Sequence, residues 1–401
     1  MKQYREILRT PGVARMVVSQ LMARFPYGML SIAVLLYIHE RTGSYAIAGA
    51  VLATSSIGQA IAGPMTSRLM GIWGMRPVLI LTTSVASVTM TVVTVFALEP
   101  VAYMALGFVI GLSMPPVQSA VRTIYPKMVN GQQLTPLYSL DASAQEIIWI
   151  IGPVLATFAA TQLGGVWAMA LCIVFMVGGG AWFVTAPELG RVRIPRSRRR
   201  FGAVLIRPPV LMATAVGFLL VGCYAAAEAG VVTAFGQGSP EGGVVLAICA
   251  VGSMIGGLGF GHLPIRPWSL ARRMLLVFSG VALALAAMNF WWLALTLFLS
   301  GLGTAPALAA IFTIVSASVK FSDTAEAYGW IGTGQLIGAA LGSAASGVLI
   351  DRVGSVGAFA IAAVFGLFGV LVPALGRRAL PDLKGRDSTP QPDTEPVAAL
   401  S

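Results

Sequence analysis

Twelve apolar stretches, each long enough to cross a bilayer, fill almost all of this 401-residue chain. A hydrocarbon core about 30 Å thick needs a helix of roughly 20 mainly apolar residues to span it. Within that core every backbone N–H and C=O must find a partner inside the protein, so such stretches become helices. With 57% hydrophobic and only 10% charged residues, the chain lies far from a soluble domain, of which roughly a quarter is charged. The fold class that follows is an all-α membrane protein with twelve transmembrane helices. The spans read Met16–Ile38, Ala46–Leu69, Val78–Leu98, Val101–Val121, Leu137–Ala160, Val166–Val184, Val210–Phe235, Gly243–Leu263, Met274–Met288, Leu293–Ala317, Tyr328–Ile350 and Ser355–Leu375.

A net charge of +11 raises the question of nucleic acid, but the basic residues sort by loop. Of the 26 Lys and Arg residues, all but Arg24, Arg41 and Arg352 fall on one side of the membrane. Positive residues in short loops stay cytoplasmic, so a multi-pass protein of the cell membrane with both termini inside is expected. The loop containing Arg191, Arg193, Arg196, Arg198, Arg199, Arg200 and Arg207 suits anionic lipid headgroups rather than nucleic acid. The first apolar stretch is too long for a cleavable signal peptide and lacks a small-residue cleavage site. Cys172, Cys223 and Cys249 lie within spans and read as packing residues without a disulfide. His39 and His262 sit at opposite membrane edges, which argues against a metal pair. No Ser/His/Asp or Cys/His arrangement and no nucleotide loop is evident, so neither an enzyme nor a cofactor is expected. A monomer is expected.

The basic loop divides the chain into residues 1–186, a linker 187–209, residues 210–376 and a tail 377–401. The tail beyond Pro381 is rich in Pro, Asp, Thr and Gln and is expected to be disordered. The two six-span halves also repeat. Gly111, Leu112, Pro116, Ala120, Thr123 and Ile124 recur 190 positions later as Gly301, Leu302, Pro306, Ala310, Thr313 and Ile314. Tyr138, Gln145 and Gly152 recur, at the same offset, as Tyr328, Gln335 and Gly342. Two such halves related by an axis along the membrane normal are found in many secondary transporters.

On these features the chain resembles the major facilitator superfamily from residue 1 to about 378. After the second span that family carries Gly-x-Leu-x-Asp-Arg-x-Gly-x-Arg. Here Leu69, Gly74 and Arg76 fit, while Gly71 and Ile72 replace the Asp-Arg pair, which in the family is thought to latch the cytoplasmic side. The helix-4 arginine of proton-linked members is replaced by Tyr103 or Gly107. Gly152 and Pro153 supply the centre of the helix-5 motif of drug exporters, while Ile148, Ala156 and Thr157 stand where glycines are usual. The resemblance implies two six-helix bundles, with helices 1, 4, 7 and 10 lining a central cavity.

Ionisable side chains within spans are costly and point to function. The chain has Arg24 in span 1, Asp141 and Glu146 in span 5, and Glu228 in span 7, with Arg122 at the cytoplasmic end of span 4. Counted from the predicted span starts, Arg24 and Glu146 lie roughly 12–14 Å deep, which predicts an Arg24–Glu146 ion pair facing the cavity. A lone charge there costs about 2.5–3.5 kcal/mol. The pair serves either helix packing alone or proton and substrate handling. Asp141, about 6 Å deep, matches the level of Arg122, and an Asp141–Arg122 pair with Arg76 nearby would replace the missing latch. Gln145, one turn from Asp141, and its repeat partner Gln335 read as substrate ligands or as interhelical glue. Glu228, among alanines, reads as a proton or cation site. Tyr27, Tyr224, Trp149 and Trp330 are candidate cavity-lining aromatics.

Together these residues predict a secondary transporter working by alternating access, most simply coupled to protons. Up to three buried carboxylates against one buried arginine favour an amphipathic or cationic small molecule, and the resemblance at Gly152 and Pro153 to drug exporters implies export. The alternative is proton-symport uptake of a small polar or anionic nutrient, with Arg24 receiving a carboxylate.

Overall fold

The computed structural model describes residues 2–197, 199–236 and 239–393. Among these residues, twelve long helices run antiparallel in sequence order: α1 Val13–Thr42, α2 Tyr45–Trp73, α3 Met75–Val95, α4 in two segments Pro100–Leu112 and Val117–Ile124, α5 Gly131–Leu163, and α6 Gly165–Thr185. After the linker come α7 Pro208–Phe235, α8 Pro240–Phe260, α9 Ser269–Ala284, α10 Phe290–Ser318, α11 Thr324–Val353 and α12 Ser355–Leu375. The two six-helix halves expected from the repeat are both present. Single glycines with left-handed φ turn the chain between neighbours, Gly164 (φ 105) between α5 and α6 and its repeat partner Gly354 (φ 66) between α11 and α12. Only a residue without Cβ takes that conformation cheaply.

Three boundaries differ from the sequence expectation, each for a physical reason. The fourth span breaks at Ser113–Pro116 because Pro115 and Pro116 together remove two successive N–H donors. In α10 the matching positions are Ala305 and Pro306, and one proline is absorbed without a break. The ninth helix starts at Ser269 and ends at Ala284, short of Met288; its 16 residues span only about 24 Å. Its first turns carry Arg273, which is buried and donates to Pro306 O (2.8 Å) and Leu263 O (3.1 Å). The fifth helix starts at Gly131, capped by the Asn130 side chain, six residues before the predicted Leu137. Pro136 lies inside it.

The first and last described segments lie at the end of the bundle that carries the basic loops, here the basic end. From the short N-terminal helix Lys2–Arg9, the buried Tyr4 donates to Gly257 O on α8 (3.0 Å). Burial raises the Tyr4 hydroxyl above its ordinary range, against the lowering pull of Ser139 and Arg273. Part of the tail, up to Asp393, makes backbone contacts with the loops. Leu383 N donates to Ile265 O (2.9 Å), and Gln391 exchanges backbone bonds with Val319 O (2.9 Å) and Phe321 N (3.0 Å). Backbone donors of the loops thus find acceptors in a segment whose composition alone predicts no structure. Residues 394–401, and Arg198 of the linker, lie outside the described residues. Glu188, at the linker start, pairs with Arg15 of α1. Burial raises its carboxyl, but the Arg15 hydrogen bond and the Arg15 and Arg191 charges outweigh this and hold it below the usual range.

Candidate functional site

Three of the predicted charges, Arg24, Arg122 and Asp141, gather in one buried cluster of the first half. Asp141, fully buried, accepts from Gln20 Nε2 (3.0 Å), Arg24 Nη1 (3.4 Å), Arg122 Nε (3.0 Å) and Tyr125 OH (3.2 Å). Arg24 and Arg122 are themselves 3% and 1% exposed. Both also donate to Gln145 Oε1, Arg24 through Nη2 and Arg122 through Nη2 at 3.3 Å. The expected Arg24–Glu146 pair does not form. Because α5 begins six residues early, Asp141 stands about 15 Å and Glu146 about 22 Å along it, while Arg24 stands about 16 Å along α1. Glu146 also points elsewhere: its carboxylate accepts from Ser253 Oγ of α8 (2.7 Å). The Asp141–Arg122 contact exists, but as part of this cluster. Arg76 is not near it. That side chain donates to Ala186 O (3.1 Å) and rests against Gly190 at the linker start.

The second half has no counterpart of the cluster. Gly28 meets Gly152 as Gly222 meets Gly342, which aligns Arg24 with Phe218. The repeat offset aligns Arg122 with Phe312 and Asp141 with Ile331. The two versions touch: the Arg122 guanidinium lies 3.4 Å from the Phe312 ring centroid.

The halves are joined from the basic end up to mid-height. The repeat-related Tyr138 and Tyr328 place their hydroxyls 2.7 Å apart; each carries one proton, so one hydroxyl donates to the other, and the second donates to the carbonyl sixteen residues back in its own half, Arg122 O (3.0 Å) for Tyr138 or Phe312 O (3.1 Å) for Tyr328. The pseudo-twofold axis therefore passes between these two hydroxyls. Around it Ser139 donates to Gly257 O (2.7 Å), Thr333 to Ala60 O (2.7 Å), and Arg68 pairs with Glu326 (3.0 Å). Arg68–Glu326 thus joins the halves at the place where the family's Asp-Arg pair is missing. Sequence reasoning passed over both contacts, although the Tyr138–Tyr328 repeat was the available signal. On the side of Glu146–Ser253 and Thr333–Ala60 away from the basic end, no hydrogen bond or ion pair joins the halves among the described residues. Trp149 lies three turns beyond Tyr138 on the same face of α5 and is 51% exposed, so this face opens into a cleft toward the end opposite the basic one.

Removing both axial hydroxyls, Tyr138→Phe with Tyr328→Phe, is expected to loosen the closed end. A hydrogen bond contributes about 0.5–1.5 kcal/mol, so the open-to-closed ratio at that end should rise roughly two- to tenfold. Spin labels at the exposed Gln132 and Arg272 should report a new population at longer distance; an unchanged distribution contradicts the assignment.

The remaining predicted residues divide. Tyr27 is half-buried, and its hydroxyl donates to Pro115 O (2.6 Å), serving a carbonyl at the break in α4. Tyr224 bonds Thr304 Oγ1 (2.5 Å) and Cys249 Sγ (3.4 Å) and, with Glu228, lines a cavity of about 20 Å³ between α7, α8, α9 and α10, room for about one water. Glu228 is exposed and makes no hydrogen bond or ion pair among the described residues. Gln335 packs against Gly217 of α7 and makes no hydrogen bond there. Trp330 does not line the cleft: it packs on Phe201 of the linker (5.6 Å between rings), with its indole 3.5 Å from Glu326.

A sequence profile of the Major Facilitator Superfamily matches residues 16–289 and 271–400. The chain belongs to this superfamily. No curated protein sequence matches this superfamily member significantly. Among solved structures it is similar to the human organic anion transporter MFSD10 (TETRAN), with TM-score 0.72, 15% identity, and 90% of this chain and 99% of that one covered. It is also similar to a bacterial homologue of the iron transporter ferroportin in its outward-facing state, with TM-score 0.74, 13% identity, and coverage of 92% and 99%. The same homologue with soaked iron gives TM-score 0.69 at 14% identity, covering 91% and 98%. At such identities the likeness concerns the fold.

Proposed function

We propose that this superfamily member is a proton-coupled secondary transporter of a small molecule, working by alternating access between its two halves. The positive-inside pattern places the basic end in the cytoplasm, so the structure corresponds to a state closed to the cytoplasm and open outward. The observation that carries the coupling is the Glu146–Ser253 bond (2.7 Å). It ties a carboxylate of one half to the other at the level where the halves part. Rocking the halves breaks that bond and changes the surroundings of the one carboxylate placed there, which links its proton to the conformational step. Asp141 is unsuited to this role, since all four of its contacts lie within the first half and none changes when the halves rock.

Between the two cargo classes left open by the sequence, the buried charges favour the anionic one. Counting carboxylates against Arg24 alone favoured a cation. Arg122 is equally buried, so the cluster holds two arginines and one aspartate, and a positive excess faces the cleft through Gln145. Uptake of an anion with a proton balances that charge.

Proteoliposomes test the reading. A pH gradient should drive net solute movement in the wild type. Glu146→Gln should lose the gradient dependence while retaining exchange down a solute gradient. Full gradient-driven transport in Glu146→Gln removes Glu146 from the coupling step, and its direction in the wild type separates uptake from export.

A further inference from the structure

Two buried guanidiniums share one carboxylate and one amide oxygen, and that oxygen belongs to the only member of the group that both arginines reach on the cleft side. Asp141 is saturated by four donors and has nothing further to offer. Arg24 completes its shell with Gln20 Oε1 (2.8 Å), a neutral acceptor. Arg122 completes its own with neutral Gln118, whose carbonyl faces the guanidinium once the amide is oriented to match, and with the Phe312 ring. Glu146, next in sequence to Gln145, is turned to Ser253. The cluster therefore carries one uncompensated positive charge in surroundings where an unpaired ion is expensive.

The half-buried Gln145 lies on α5 between this charge and the arc of Glu146 and Trp149. Its Oε1 takes a donor from each arginine, in the fork arrangement that suits a carboxylate better than an amide. We infer that Gln145 Oε1 marks the binding position of an organic carboxylate, with Arg24 and Arg122 as its ligands and the Gln145 side chain as a neutral placeholder that swings aside. The matching half carries Phe218, Phe312 and Ile331 and offers no second such position, so one anionic group binds per protein. Tyr27, one turn beyond Arg24 on the same helix, and Trp149 stand where the organic part of the ligand would extend.

This inference rests on the transporter reading but is tested without transport. The purified protein is heated in chloride-free buffer with benzoate or with benzamide, its neutral isostere. Benzoate should raise the wild-type Tm and benzamide should not. Gln145→Ala, which vacates the position, should show a larger benzoate shift. Gln145→Glu, which supplies a tethered carboxylate, should by itself raise Tm by about 2–4 °C and abolish the benzoate response. The Gln145→Glu result decides: a lowered or unchanged Tm overturns the anion site whatever the probes do. Failure of the Glu146→Gln flux experiment, by contrast, would leave these binding results standing and remove only the proton coupling.

Discussion

Asp141→Asn is expected to destabilise the folded protein by about 3–5 kcal/mol, the usual consequence of removing one partner from a buried ion cluster. The change is nearly isosteric, so packing is preserved and the effect is electrostatic. Arg24 and Arg122 are left facing each other across a neutral amide, and whichever way it turns its nitrogen meets a donor, Arg122 Nε in the place of Oδ2 or Gln20 Nε2 and Tyr125 OH in the place of Oδ1. Thermal unfolding in detergent, followed by loss of monodisperse protein, measures this. The second half supplies the control, because it solves the same packing problem with Phe218, Phe312 and Ile331. Asp141→Ile combined with Arg24→Phe and Arg122→Phe should recover most of the stability, since apolar replacement of a complete buried ion cluster is often neutral or stabilising. It should also abolish transport. A stable Asp141→Asn protein would show that the two arginines need no shared anion.

Gly342→Leu is expected to prevent α7 and α11 from packing. The place of its Cβ is occupied by the Gly222 backbone, and backbone cannot rotate away as a side-chain tip can. Overpacking typically costs about 1–3 kcal/mol and more where backbone must shift, and here two long helices would have to separate along their length. Folded yield should collapse. Gly347→Leu, five residues further along α11 where nothing lies within 4 Å, should express normally. Equal yields from the two variants would contradict the close helix contact. Gly152 against Gly28 repeats the arrangement in the first half, its Cβ position 3.0 Å from the Gly28 carbonyl carbon, so small residues set helix spacing in both bundles.

The helices, their number and the two-half arrangement were legible because bilayer thickness and backbone hydrogen bonding act on any apolar stretch of sufficient length. The repeat was legible because Tyr138 and Tyr328, with Gln145 and Gln335, keep one offset. The pairing of charges was not. A helix start misplaced by six residues moved Asp141, rather than Glu146, to the level of Arg24, and roughly 140° of helical turn separates Asp141, aimed at α1, from Glu146, aimed at α8. Trp330 was read as a cavity aromatic because its span was known but its neighbour Phe201, in a linker with no apolar period, was not. Composition likewise has no access to the backbone contacts that Leu383 and Gln391 make with the loops.

The sequence by itself determined that this chain spans a bilayer as two repeated six-helix bundles, since those features depend on local hydrophobicity and on spacing along the chain. Only the tertiary structure decided which of the few buried charges share a site, which end of the cleft is closed, and that Tyr138 meets Tyr328 on the axis. Those outcomes depend on helix depth and rotation, which are set by packing between elements far apart in sequence and leave no periodic mark in either one alone.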